Sequence, residues 1–250
     1  MLIVKILIMG LVLAASAVIV LRTPVNGWGS LLWLVGQFGM GFIRFPFEQE
    51  NRANVVVESR KTVLEKLLLA CVFLGTFLLP VVQLTTGLFG FANVALPPWT
   101  VVAGALVLAL GLWLFWRSHV DLGRNWSVTL EVREGHTLIE AGVYRRVRHP
   151  MYSALFLIFI AQALLISNLV AGPSGVVSMA IIYLFRVRQE EAMMRDRFGE
   201  RYEQYCSRTG RLIPGGRRRE RWGQSAGVRV KGQSHQARKP TEAHRSDSDP

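Results

Sequence analysis

From Leu67 to Thr86 twenty consecutive residues carry no charge, and from Met151 to Gly172 twenty-two do the same. A helix rises about 1.5 Å per residue, so about 20 apolar residues cover the roughly 30 Å hydrocarbon core of a bilayer. Lipid is the solvent these runs require. Trp99 to Trp116 passes the same test, Ile6 to Leu21 passes it after Lys5, and Trp28 to Phe45 is apolar but rich in glycine. After Pro173, a shorter stretch from Ser174 to Phe185 runs directly into Arg186. With Met151 to Gly172 it reads as a helical hairpin. The expected fold is an all-α transmembrane bundle of about five to six spans. Hydrophobic residues at 51%, charged residues at 18% and a mean hydropathy of +0.30 agree with it.

Lysine and arginine fix the orientation, because short loops rich in them stay in the cytoplasm. Arg44, Arg52, Arg60, Lys61 and Lys66 mark one inner loop, and Arg117, Arg124, Arg133, Arg145, Arg146 and Arg148 mark another. The segments Gly87 to Pro98 and Asn168 to Pro173 carry no charge and belong outside. Both termini then lie in the cytoplasm. Lys5, the first apolar run and Ala15-Ser16-Ala17 also fit a cleavable secretory signal. An uncleaved first span preserves the alternation of loops and is preferred.

The net charge of +12 sits between apolar runs and in the tail rather than on one soluble face, which argues for anionic headgroups and against nucleic acid. Cys71 and Cys206 have no neighbours at metal-ligand spacing, so neither a disulfide framework nor a zinc site is expected. From Gly215 to Pro250 the chain turns polar, with Arg217-Arg218-Arg219 at its start, and cannot bury enough apolar area to order itself. Three regions result: N-terminal transmembrane helices over 1–98, a core over 99–214 that contains the hairpin 151–199, and a basic and polar tail over 215–250.

The chemistry is concentrated on both sides of the hairpin. Before it stand His136-Thr137-Leu138-Ile139, Tyr144 and Arg148-His149-Pro150-Met151-Tyr152. After it stand Arg186, Glu190-Glu191, Phe198-Gly199-Glu200-Arg201-Tyr202, Tyr205 and Arg211-Leu212-Ile213-Pro214. In order and spacing these motifs resemble the isoprenylcysteine carboxyl methyltransferase family, whose members are related to membrane phospholipid methyltransferases. The resemblance covers roughly Trp99 to Pro214, and separated motifs in one order are far more specific than any one alone. It implies that His136, Thr137, Leu138, Ile139, Tyr144, His149, Pro150, Met151, Tyr152 and Glu190 contact S-adenosyl-L-methionine. It also implies that Arg186 contacts the carboxylate of a lipophilic or prenylated acceptor. Where many relatives place glycine after the Arg-His-Pro-x-Tyr run, this chain has Ser153 and Ala154.

Physical chemistry supports the same placement. The cofactor is polar and reaches a membrane enzyme from the cytoplasm, where these motifs lie. Pro150 suits the first turn of a helix, where its missing N–H costs nothing, and the N–H groups that follow suit an anionic or polar group. Ser174 to Phe185 rises only about 18 Å, too little to leave the membrane, so the helix is expected to continue to Arg197. Arg186 and Glu190 then share a face. As an exposed pair in this order they would stabilise the helix little. Ionisable groups at a membrane boundary are better read as a site. His119 and Asp121 are read as marking the end of a span, and Gly39-Met40-Gly41 as helix packing through small residues.

Three functions compete at this point. Carboxyl O-methylation needs no general base, because an α-carboxyl with a pKa of about 3.5 is already ionised at pH 7. Headgroup N-methylation needs one, with Glu190, Glu191 or His149 as candidates. A non-catalytic membrane scaffold is the third, and the motifs leave the oligomeric state open.

Overall fold

The computed structural model describes residues 2–52, 56–59, 63–123, 131–133 and 137–215, with side chains placed over 9–49, 63–123 and 137–215. The polar tail and His136 lie outside the described residues. Nine α-helices carry the described chain: α1 Leu2–Leu21, α2 Thr23–Asn26, α3 Trp28–Arg52, α4 Val63–Phe73, α5 Leu79–Thr86, α6 Trp99–Leu122, α7 Pro150–Leu165, α8 Ser174–Phe198 and α9 Glu200–Arg208. Beside them lies a short antiparallel ribbon, in which β1 Val56–Ser59 pairs with β2 Glu131–Arg133, Ser59 opposite Glu131. The fold is otherwise helical.

Two stretches, 63–86 and 99–122, are long and apolar enough to cross a membrane by length and composition. A third or less of their most apolar windows is buried, which separates them from the core helices of a soluble domain. On α6 the division is sharp. Val102, Leu106, Leu110 and Trp113 form an exposed stripe, while Gly104, Leu108, Gly111 and Phe115 form the buried face opposite. The buried face meets α7 at Gly104 and Gly111 and α3 at Leu108.

Small residues set how closely these helices approach. A Cβ on Gly111 would sit 2.8 Å from Ile158 Cγ1 and 3.1 Å from its backbone nitrogen, so α6 and α7 pack almost backbone to backbone. Gly39 of α3 faces the end of the Leu112 side chain of α6, 3.3 Å from where its Cβ would lie, whereas Gly41 opens onto a cavity.

Between α4 and α5 the helix widens into a π turn, Leu74–Leu78. Such a turn misaligns the local hydrogen-bond ladder, and its carbonyls need other donors. Gln162 of α7 supplies one: its Nε2 donates to Gly75 O at 3.1 Å and also to Ala171 O at 2.9 Å, while Trp33 Nε1 donates to Gln162 Oε1 at 3.3 Å. Ser174 Oγ adds a second donor to Gly75 O at 2.6 Å. One side chain thus ties the wide turn to the outer bend of the hairpin.

The hairpin itself follows the sequence expectation with one shift. Pro150 occupies the first position of α7, and α8 runs unbroken through Arg186 to Phe198. Helix α7 ends at Leu165, short of Gly172, because Asn168 caps the bend: its Oδ1 accepts from the amides of Val170 and Ala171.

Candidate functional site

The residues that flank the hairpin in sequence converge on one cavity of about 520 Å³. Thr137, Leu138 and Ile139 reach it from the loop before the hairpin, Tyr144 from a short 3-10 turn, His149, Met151 and Tyr152 from the start of α7, and Arg186 and Glu190 from α8. Pro150 stands beside them. It is buried at the helix start and does not line the cavity, because its ring serves as the first-turn wedge of α7.

The polar end is built around two consecutive acids with different surroundings. Glu190 Oε1 accepts a 2.6 Å hydrogen bond from Tyr152 and lies 3.5 Å from Arg186 Nη2, and its Oε2 lies 3.7 Å from His149 Nδ1. Its side chain is a quarter exposed and lines the cavity. Glu191 turns the other way and is almost wholly buried, at 1% exposure. Arg211 grips it with two bonds, Nε to Oε1 at 3.0 Å and Nη2 to Oε2 at 2.9 Å. His149 Nε2 lies 3.3 Å from Oε1, and Arg148 and Arg195 stand at 3.4 and 3.5 Å. Burial alone would raise the Glu191 carboxyl. The bonds and positive charges of His149 and Arg211 outweigh it and hold the group well below the usual carboxylate range. His149 therefore sits between the two acids, one facing the cavity and one facing away.

The segment after α9 closes over the polar end. The amides of Arg148 and His149 donate to Gly210 O and Arg211 O at 2.8 and 2.9 Å, and Ser153 Oγ donates to Leu212 O at 2.6 Å. Arg148 Nη1 donates to the carbonyls of Cys206 and Thr209. Tyr205 donates to Tyr144 O at 2.7 Å. Burial pushes the Tyr144, Tyr202 and Tyr205 phenols above their ordinary range.

Three contributors escape a reading of motifs. Asp121 accepts from the Val143 amide at 2.8 Å and pairs with Arg117 at 2.9 Å. A side chain on Gly142, whose φ is +59°, would strike that carboxylate, so Asp121 and Gly142 together seat the turn that carries Tyr144. His119 is buried against Phe115 and Phe47, with Nδ1 2.8 Å from Phe115 O, and its ring lines the cavity. Helices α3 and α4 and the π turn complete the wall through Gln37, Met40, Arg44, Leu69, Val72 and Thr76. Spacings of three and four within each set would have shown the two faces, but nothing in the sequence says that they meet here.

Comparison with known proteins bears on this arrangement. Residues 99–201 match the family model for phospholipid methyltransferases. Protein-S-isoprenylcysteine O-methyltransferase B of Arabidopsis thaliana is 23% identical over 180 residues, 71% of this chain and 91% of that protein. The human enzyme of that name is 30% identical over 118 residues, 46% of this chain and 42% of its own. The Schizosaccharomyces pombe enzyme is 31% identical over 112 residues, 43% and 46% respectively. The chain is a relative of the isoprenylcysteine O-methyltransferases. They are methyltransferases and so is this chain, which sets aside the non-catalytic scaffold. The match spans less than half of the human and S. pombe proteins and most of the Arabidopsis one. A solved structure of a eukaryotic intramembrane Ras methyltransferase aligns over 86% of each chain at 20% identity, with a TM-score of 0.43.

Proposed function

We propose that the chain transfers a methyl group from S-adenosyl-L-methionine to the carboxylate of a lipophilic acceptor of the isoprenylcysteine type, at the cytoplasmic face of a membrane crossed about six times, with both termini inside. The observation that carries this reading is Arg186: a buried guanidinium lining the chamber beside an acid, Glu190, that opens to the same cavity.

The donor set suits the cofactor. Glu190 presents a carboxylate to a cationic group, Tyr152 and His149 fix that carboxylate, Thr137 offers a hydroxyl, and Leu138 and Ile139 offer apolar faces to a base. His136 and Pro150 complete the motif in sequence, Pro150 by shaping α7. Bound there, the cofactor supplies an electrophilic methyl on a sulfonium and departs as a neutral thioether.

Arg186 orients the acceptor. A planar guanidinium holds one carboxylate oxygen and leaves the other directed at the methyl, and positioning of this kind accounts for most of the catalysis in an in-line displacement. No base is needed, because the nucleophile is already ionised at neutral pH. Leu69, Val72, Leu155, Phe159, Met179 and Ile182 form the apolar end that suits a hydrocarbon chain.

The family model favours a second reading, methylation of a phospholipid headgroup amine. An ammonium must lose a proton before it attacks, so that rate rises with pH through neutrality. Incubation of the purified chain with labelled cofactor, an N-acylated S-prenylcysteine and phosphatidylethanolamine separates the two. Base-labile methyl ester on the cysteine supports carboxyl transfer, and label confined to the lipid headgroup overturns it. Glu190→Ala is expected to abolish cofactor binding in calorimetry, and unchanged binding removes Glu190 from the site.

A further inference from the structure

The family match begins at residue 99, yet one ionisable partner of Arg186 comes from before it. Glu65, Leu69 and Val72 of α4 and Thr76 of the π turn that follows recur at spacings of four, three and four, and the first three share one face of α4. The last three line the cavity. Glu65 heads the stripe, its side chain 5% exposed and its Oε1 3.9 Å from Arg186 Nη2. A carboxylate buried on an apolar helix is costly unless a cation faces it. We propose that Glu65 is a positioning residue that holds the Arg186 guanidinium in place for the acceptor carboxylate. The inference rests on the carboxylate reading of Arg186 given above.

Both acids near Arg186 approach the same terminal nitrogen, Nη2, Glu190 at 3.5 Å and Glu65 at 3.9 Å, from different helices. The guanidinium is thereby flanked at one corner by carboxylates from α4 and α8. Their roles differ. Glu190 also engages Tyr152 and His149, opens to the cavity and is assigned to the cofactor. Glu65 does not line the cavity and stays with Arg186 while Glu190 serves another cation. Removal of Glu65 lets Arg186 lean toward Glu190 and away from the acceptor. The acceptor side is thus specified partly by an N-terminal helix, and the cofactor side by the hairpin.

The test uses the full chain in detergent, with cofactor affinity measured by calorimetry and initial rates measured with an N-acylated S-prenylcysteine. Glu65→Gln is expected to keep the cofactor Kd within about twofold and to lower kcat/KM for the acceptor about tenfold, carried mainly by KM. Glu65→Asp should lie between this variant and wild type. In the ligand-free protein, thermal unfolding of Glu65→Gln, Arg186→Lys and the double variant should be non-additive, as for groups in contact. Should Glu65→Gln not accumulate, Glu65→Asp carries the same test: a raised acceptor KM at unchanged cofactor affinity supports the proposal, and wild-type values overturn it. A wild-type acceptor KM in Glu65→Gln, a changed cofactor Kd in its place, or strict additivity overturns it too. If the wild-type chain labels no carboxylate, the functional reading fails and the inference fails with it. If the wild type labels it and Glu65→Gln behaves as wild type, the inference alone fails.

Discussion

The N-terminal region, through α3, α4 and the π turn, and the segment 137–214 border the same cavity by opposite means. The C-terminal segment is held by charge: Glu191 collects Arg211, Arg148, Arg195 and His149, and Glu140 pairs with Arg201 at 2.9 Å and Arg208 at 2.8 Å. The N-terminal helices are held by fit, through Gly36 and Gly39 against Leu108 and Leu112 and through Trp33 and Gln162 at the wide turn. A charge network leaves a motif, because each member must be one of a few residue types. Fit leaves almost none. The matched family segment, 99–201, includes Glu140, Arg148, His149, Glu191 and Arg195 of the charge network and none of α1 to α5.

The contrast can be broken in order of size. Glu191→Ala strands two or more cations around a buried hole, and loss of one partner of a buried pair costs about 3–5 kcal/mol, read as a lower unfolding midpoint in detergent. An effect under about 1 kcal/mol would mean that the charge network is not what holds the segment. The pH dependence follows from the same group. Its folded pKa is depressed, so its contribution is fully present above the unfolded value of about 4.3 and is lost as pH falls through the lower folded value. Stability from this group should be level from pH 5 to 8 and fall only in stronger acid. Glu191→Gln should flatten the acid limb.

Next in size is Arg186→Ala, expected to reduce carboxyl methylation about 100-fold, near 2.7 kcal/mol, while cofactor affinity is retained. Packing effects come after it. Gly111→Ala places a methyl 2.8 Å from Ile158 Cγ1 and should cost about 1–3 kcal/mol in thermal unfolding. Gly41→Ala, with nothing within 4 Å, should be neutral or stabilise α3 by up to about 1 kcal/mol. Equal effects at the two glycines would erase the distinction between close-packed and open faces of the bundle.

The sequence made the hairpin legible because its signals are local: a proline at the helix start, an uncharged run, and an arginine and glutamate four apart. Glu191 appeared only as a candidate base for the amine reading. Its burial depends on Arg211, twenty residues on, and on His149, forty-two residues back. Asp121 read as the end of a span because its partner, the Val143 amide, lies on a different segment. Glu65 carried no signal, since one acid at the start of an apolar helix looks the same whether it meets water or a guanidinium. The short ribbon of β1 and β2 was likewise invisible, as neither three- or four-residue strand shows a pattern of its own.

The π turn at Leu74–Leu78 divides α4 and α5 into two phases of one rod. A π turn amounts to one residue more than the α-helix needs, which rotates everything beyond it by about a quarter-turn or slightly more. Leu69 and Val72 before the turn and Thr76 within it line the chamber, while Gln83 beyond the turn meets Asn93 at 3.0 Å in the loop that follows α5. A relative without the wide turn can be aligned to this chain on one side of it or the other, but on both sides only across a gap. Deletion of a single residue there would leave the hydropathy of the span unchanged while turning one of its two faces to the wrong neighbour.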